Sequence, residues 1–266
     1  MDLDWLNNLK TDTFAALRFF STLPLARWFG GEDSLPHAGE APKLNDAIVG
    51  FPIAGLIIAL PPALLWYIAS QFLSPLLAAA IAIGLGTLIT GALHEDGLAD
   101  CFDGLGGGST RERILQIMRD SAIGTFGASA LFFSFAIRIF ALASLGSWSG
   151  ALALLMAHSV ARGALVIAIH YSTYVRPSGL GDAVREGAHS DQFKNTLWVL
   201  LAISLALVLA SDQFSGLLAP VVGMTASWGL LQWLNARLGG YTGDGLGAME
   251  QVAEISILLV LAALWQ

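Results

Sequence analysis

The chain has 266 residues, of which 55% are hydrophobic and only 12% charged, and its mean hydropathy is +0.67. Those proportions exclude disorder and an ordinary soluble globule, where about a quarter of residues carry charge. A net charge of −7 with scattered bases argues against nucleic acid as a partner. One cysteine, Cys101, and no Cys/His set at zinc spacing leave neither disulfides nor structural zinc to hold the fold. A bilayer is the remaining scaffold, and the length suits residues 1–266 as a single integral membrane domain.

The first ~20 residues hold Asp2, Asp4 and Asp12 without a basic leader, so they do not read as a cleaved signal peptide. Phe14 to Phe29 is apolar on one side but interrupted by Arg18, Pro24 and Arg27, which predicts an interfacial helix. A crossing helix needs about 20 mostly apolar residues. Such runs stand at roughly 48–70, 76–94, 123–145, 148–172, 195–212 and 214–234, with a weaker seventh at 246–266.

The joints between the first six runs divide into two kinds. Gln71 to Pro75, Gly146 to Ser147 and Ser211 to Gln213 are tight and carry no Lys or Arg. The remaining loops hold eleven of the 13 basic residues, so by the positive-inside rule they face the cytoplasm. The expected fold is an all-α polytopic membrane protein of about seven transmembrane helices, three hairpins plus a C-terminal helix, with an N-terminal interfacial helix. Lipid-facing and subunit-facing apolar residues look alike, so a homo-oligomer is compatible with the pattern.

The densest chemistry follows the second run, at His94 to Gly108. If that helix continues past the membrane edge, Asp96, Asp100 and Asp103 fall at i, i+4 and i+7, on one stripe. Like charges so placed repel unless a cation neutralises them. Oxygen-only ligands favour Mg²⁺ or Mn²⁺, and Mg²⁺ commonly uses one or two carboxylates together with substrate phosphate oxygens. The bland alternative is a solvated, acid-rich helix end, which acids at membrane depth rarely are.

Further along, Ser109 to Glu112 reads as a capping box opening a short surface helix. Asp120 returns a fourth carboxylate to the membrane edge beside Arg119. Gly124 and Gly127 open the third run, where exposed amides suit a phosphate, although small residues also serve helix packing. A third cluster, Gly239 to Glu250, sets four glycines, Gly243 among them, around Asp244, as backbone close to a ligand requires. Glu250 and Glu254 then share a face of the last helix. Arg138 and Arg162 lie within runs three and four, where each needs a partner or a polar cavity, phosphate or carboxylate for Arg162. His158 and His170 read as packing residues.

Cytoplasm-facing carboxylates, glycine loops and arginines suit metal-assisted transfer of a phosphate-containing group. The stretch Gly91 to Gly127 contains His94-Glu95-Asp96-Gly97-Leu98-Ala99-Asp100, Phe102-Asp103-Gly104, Ile117-Met118-Arg119-Asp120-Ser121 and Gly124-Thr125-Phe126-Gly127. Together with Arg18 to Pro24 and Gly240 to Gly247, it resembles the cobalamin synthase family, the adenosylcobinamide-GDP ribazoletransferases. The resemblance implies that adenosylcobinamide-GDP reacts with α-ribazole or α-ribazole 5′-phosphate, releasing GMP, with Mg²⁺ as cofactor. It assigns Asp96, Asp100 and Asp103 to metal, Asp120 and Asp244 to further ligation or general base, and Arg119 and Arg162 to phosphate, with Glu95, Gly124, Gly127 and Gly243 lining the ligand. A second likeness, to CDP-alcohol phosphotransferases, is looser in aspartate spacing. Rival readings are another Mg²⁺-dependent membrane phosphotransferase or prenyltransferase, which needs two equivalent Asp-rich helices, and a cation-coupled transporter, which needs midplane carboxylates in two related halves.

Overall fold

In a computed structural model, residues 3–24, 47–176 and 188–265 are described. Helix α1 is Leu3–Phe20, and a 3₁₀ turn at Ile48–Gly50 leads into α2, Phe51–Ala69. Then come α3 (Pro75–Thr90), α4 (Leu93–Gly107), α5 (Arg111–Ile117), α6 (Thr125–Ala143) and α7 (Ser147–Tyr171). The chain closes with α8 (Ser190–Ser211), α9 (Leu218–Leu238) and α10 (Gly243–Leu264). Among the described residues there is no strand, only a parallel bridge between Tyr174 and Tyr241. The protein is an all-α, multi-pass membrane protein: among the described residues, six helical stretches are long and apolar enough to cross a bilayer.

Helix α7 is the axle. It is buried along nearly its whole length between α2, α8, α9 and α10, so its residues are mostly apolar or small all round, with His158 and Arg162 the buried polar exceptions. The tight joints gather at one end of the bundle, where Trp66 Nε1 donates to the Ser147 carbonyl at 2.9 Å and Trp148 Nε1 to the Ala210 carbonyl at 3.0 Å. Trp265 Nε1 reaches the Gln213 carbonyl at that same end, at 3.3 Å. The last helix, 22 residues long, therefore runs the full depth of the bundle, which settles the weak seventh run as a span.

Two expectations need correction. The second run does not continue as one helix into the acids. It stops at Thr90, Gly91 and Ala92 take positive φ of 63° and 58°, and α4 restarts at an angle of 89°. Two consecutive left-handed residues end any α-helix. The freed carbonyl of Ile89 accepts from the Thr22 N–H at 2.8 Å, so the N-terminal segment seals the break. At 16 residues, α3 is about 24 Å long, and α4 lies outside the six spans, across the starts of α6 and α10. The N-terminal helix begins earlier than expected, at Leu3, and stops at Phe20; positions 25–29 of the expected interfacial helix lie outside the described residues. Its buried stripe of Thr13, Ala16, Leu17 and Phe20 has the i, i+3, i+4, i+7 spacing of a helix docked on one face.

Candidate active site

Helices α4 and α10 meet backbone to backbone. A Cβ on Gly97 would lie 2.9 Å from the Asp244 carbonyl oxygen, and one on Gly247 would lie 3.2 Å from Gly97 Cα. This close crossing sets Asp96 beside Asp244 on the wall of one cavity, with Asp100 a turn further along α4. The loop after α7 enters the same space. Val175 N–H donates to the Tyr241 carbonyl at 3.0 Å, and Tyr241 N–H to the Thr173 carbonyl at 2.9 Å. That bridge aims Arg176 at Asp244, with which it forms an ion pair, and Arg176 also donates to the Met118 carbonyl.

The cavity has a volume of about 180 Å³. One side is charged, with Asp96, Asp244 and Arg176; the other is apolar, with Phe19, Phe20, Phe51, Leu165 and Ile169. Three carboxylates and one guanidinium leave an excess of negative charge. Asp100 registers it: burial first, then the Asp244 and Asp96 carboxylates, push its carboxyl up to about 7 against the pull of Arg176. An all-oxygen, electron-rich donor set of this kind fits a hard divalent cation.

The other expected residues are placed differently. Asp103 is buried and clasps the start of α6: its two carboxylate oxygens accept from the Gly124 and Gly127 N–H groups at 2.7 and 2.8 Å. Those glycines serve the clasp, since a Cβ on either would lie within 2.4 Å of an Asp103 oxygen, and their amides are not open to a phosphate. Asp120 is exposed and accepts from the Ala122 N–H in a local turn, and Arg119 is exposed beside it. Gly243 lines the cavity at the first turn of α10.

Arg162 and Glu95 lie in a second, interior cluster. Arg162, fully buried, pairs with Glu250 at 2.8 Å; Arg138 bridges Glu254 at 3.1 Å and Glu95 at 3.2 Å. Thr87 Oγ1 donates to Glu95 at 3.0 Å, and Ser134 to Gln251 at 3.0 Å. Arg162 thus meets the carboxylate of its two expected partners. His158, read from sequence as a packing residue, belongs here too. With Glu250 and Glu254 it forms a buried triplet whose ligand atoms lie within 4.8 Å of one another, close enough to hold a metal ion. Asp96, Asp100 and Asp103 are not gathered to that spacing. The interior carboxylates, however, are already opposed by two guanidinium groups, which is how buried charge is ordinarily accommodated. His170 keeps its bland role, its Nδ1 2.9 Å from the Ala188 carbonyl and its ring stacked on Phe193.

Sequence reasoning missed Arg176 as a site residue, because its partner is 68 positions away. It also left Arg138 and Glu254 unpaired, although their depth demanded partners.

Fold and site together define a polytopic membrane enzyme with a negatively charged groove opening on an apolar slot. Residues 12–262 match the family described as cobalamin-5-phosphate synthase, and the chain belongs to that family. A relative from Bradyrhizobium diazoefficiens named adenosylcobinamide-GDP ribazoletransferase is 40% identical over 97% of this chain and 95% of its own length. Relatives of the same name from Rhizobium etli and Vibrio cholerae are 39% and 35% identical, covering 97% and 94% of this chain and 98% and 93% of their own lengths. No solved structure matches the chain.

Proposed function

We propose that the chain joins adenosylcobinamide-GDP to α-ribazole or its 5′-phosphate at the cytoplasmic face of a bacterial inner membrane, releasing GMP. The observation that carries this reading is the close crossing of α4 and α10, which sets Asp96 and Asp244 on one cavity wall with Arg176 between helices, inside a chain of this family.

A hydroxyl of the acceptor attacks the phosphorus that bears the cobinamide, the bond from that phosphorus to the GMP oxygen breaks, and the hydroxyl proton leaves to a carboxylate. Asp96 and Asp100 are the carboxylates that would hold a divalent cation here, an all-oxygen donor set of the kind Mg²⁺ takes alongside substrate phosphate. When bound, Mg²⁺ supplies positive charge to the departing phosphate oxygen. Arg176 complements the remaining phosphate charge and orients Asp244, the carboxylate best placed to take the proton or to extend the metal site. Asp103 acts at one remove by fixing α6 against α4. The interior Arg–Glu cluster holds α4, α6, α7 and α10 in register.

GMP release from adenosylcobinamide-GDP, measured in detergent with Mg²⁺ and α-ribazole, tests the reading. Wild-type turnover and its loss in Asp100→Asn are expected; GMP release that continues undiminished in that variant removes the metal assignment. A prenyltransferase would instead consume an isoprenyl diphosphate, and a transporter would release no GMP.

A further inference from the structure

Away from the catalytic cavity, two arginines meet where the ends of α4, α5 and α9 come together. Arg111, the first residue of α5, donates from Nε to the Leu238 carbonyl at 2.7 Å, on the last residue of α9. Arg237, one position earlier on α9, donates from Nη2 to the Gly108 carbonyl at 2.7 Å, just past the end of α4. The two side chains cross, each bonded to backbone beside the other's own position. Cations suit the carbonyl end of a helix, which accounts for one bond apiece. A guanidinium has five N–H donors, however, and no carboxylate among the described residues pairs with either arginine. Two like charges are thus drawn together with donors to spare. Their depth is marked by Trp233, one turn before Arg237 on the same face of α9, 42% exposed and braced edge-on by Phe102 of α4 at 6.4 Å. Gly229, a turn deeper on that face, borders open space: a Cβ there would meet no atom within 4 Å. Because α9 is a span, this face is its lipid side, and an exposed indole near the end of a span stands at headgroup level.

We propose that Arg111 and Arg237 form a headgroup site for an anionic glycerophospholipid, with its phosphate held between the two guanidinium groups and an acyl chain laid over Gly229 and against Trp233. The site lies beyond the transfer reaction and does not depend on it. Guanidinium forks match phosphate oxygens in geometry, and several N–H groups can converge on one phosphate. Charge then selects among lipids. An anionic headgroup offsets the paired arginines, whereas a zwitterionic one brings its own ammonium beside two cations. A soluble phosphate would satisfy the same N–H groups but gains nothing from the apolar strip beneath them, which a tethered acyl chain covers. Arg113, exposed and bonded to Gln116 of its own helix, supplies a comparison of equal charge. The position also bears on the catalytic acids. Helix α4 carries Asp96 and Asp100, and α9 leads through Gly239 to Gly243 into Asp244, so a lipid seated on Arg111 and Arg237 ties the two supports together without touching the acids.

The test uses the full chain in dodecyl maltoside, without substrates, so that it stands apart from the proposed reaction. Phosphatidylglycerol or phosphatidylcholine is titrated in, and bound lipid per chain is counted by native mass spectrometry. The first phosphatidylglycerol is expected to bind about tenfold more tightly than phosphatidylcholine, in Arg113→Gln as in the wild type. Arg111→Gln combined with Arg237→Gln should abolish that preference. Equal binding of the two lipids by the wild type, a preference that survives the double variant, or one lost equally in Arg113→Gln overturns the proposal. Thermal unfolding separates binding from helix capping, since loss of a cap lowers Tm with or without lipid. Phosphatidylglycerol should raise the wild-type Tm and leave that of the double variant where it was; an equal rise in both reduces the arginines to caps. Glycerol 3-phosphate should compete about tenfold less well than the lipid, and competition as strong as the lipid's makes the site one for soluble phosphate. Should the double variant fail to fold, Trp233→Ala keeps both arginines at an exposed position and should loosen phosphatidylglycerol about fivefold; unchanged binding there removes the acyl strip and the proposal with it.

Discussion

Arg176 and Asp244 are joined by an ion pair across 68 residues of chain, from the loop after α7 to the first turn of α10. The Tyr174–Tyr241 bridge brings the two backbones together, and Gly240 lets them approach, since a Cβ there would clash with the Thr173 carbonyl. Burial, and after it the neighbouring Tyr174 phenol, push the Tyr241 phenol upward, so it stays neutral at this junction and adds no charge to it.

Replacing Arg176 by Met should therefore lower kcat/KM by about 10- to 100-fold, the loss of one charge-assisted hydrogen bond to a phosphate-facing group. Arg176→Lys should recover part of the loss, because a single nitrogen, Nη2, donates to both Asp244 and the Met118 carbonyl, and an ammonium has donors for both but sits on a shorter stem. The measurement is steady-state GMP release with both substrates varied. Full rescue by lysine would reduce Arg176 to a source of general positive potential.

The clasp between Asp103 and the start of α6 gives a second prediction. Asp103→Asn removes one acceptor from a helix terminus and should cost about 1–2 kcal/mol. Gly127→Ala forces a methyl into Asp103 and should cost about 1–3 kcal/mol. Denaturant unfolding in detergent checks both. If Asp103 only braces, Asp103→Asn keeps the Mg²⁺ dependence of the wild type at lower stability. A weakened Mg²⁺ response at unchanged stability would make it a ligand.

Much of this arrangement was legible in the chain itself. Hydropathy located the spans within a few residues, and the charge-free joints at Gln71 to Pro75, Gly146 to Ser147 and Ser211 to Gln213 do share one end of the bundle. Asp96, Asp100 and Asp103 do lie on one helix. What could not be read is which neighbour each side chain meets. The i, i+7 spacing that put Asp103 with the other acids says nothing of Gly124 and Gly127, whose amides occupy both its oxygens. Nor does a glycine in an apolar run announce a break; Gly91 ends α3 because Thr22, distant in sequence, is there to bind the freed carbonyl. Arg138 and Arg162 required partners on energetic grounds, but their identities, Glu95, Glu254 and Glu250, follow only from the packing of α4, α6, α7 and α10.

The acids on α4 make stability depend on pH in a defined direction. Asp100 titrates near 7 in the folded chain and near the ordinary carboxylate value of about 4 when unfolded. The folded state therefore binds the proton more tightly, and without a divalent cation its stability falls as pH rises from about 4 to about 7. Bound Mg²⁺ offsets that repulsion only where Asp100 is ionised. The Tm difference between Mg²⁺ and EDTA should thus be larger at pH 8 than at pH 5.5, and should shrink in Asp100→Asn. An Mg²⁺ shift that is the same at both pH values would detach the cation from Asp100.

The interior cluster sets the last expectation. Arg138 neutralises Glu95 and Glu254 at once, its side chain 3% exposed and its guanidinium 4.9 Å from the Phe135 ring centroid. Arg138→Met strands two carboxylates away from water and should destabilise the fold by about 3–5 kcal/mol, whereas Glu254→Gln leaves Arg138 still paired with Glu95 and should cost less. Combining Arg138→Met with Glu95→Gln and Glu254→Gln removes the stranded charges together, so the triple variant should be more stable than Arg138→Met alone. Unfolding curves in one detergent, read as a mutant cycle, measure the coupling. Additive losses would mean that the two ion pairs contribute nothing to one another, and that packing of the apolar stems holds α4, α6 and α10 together at this depth.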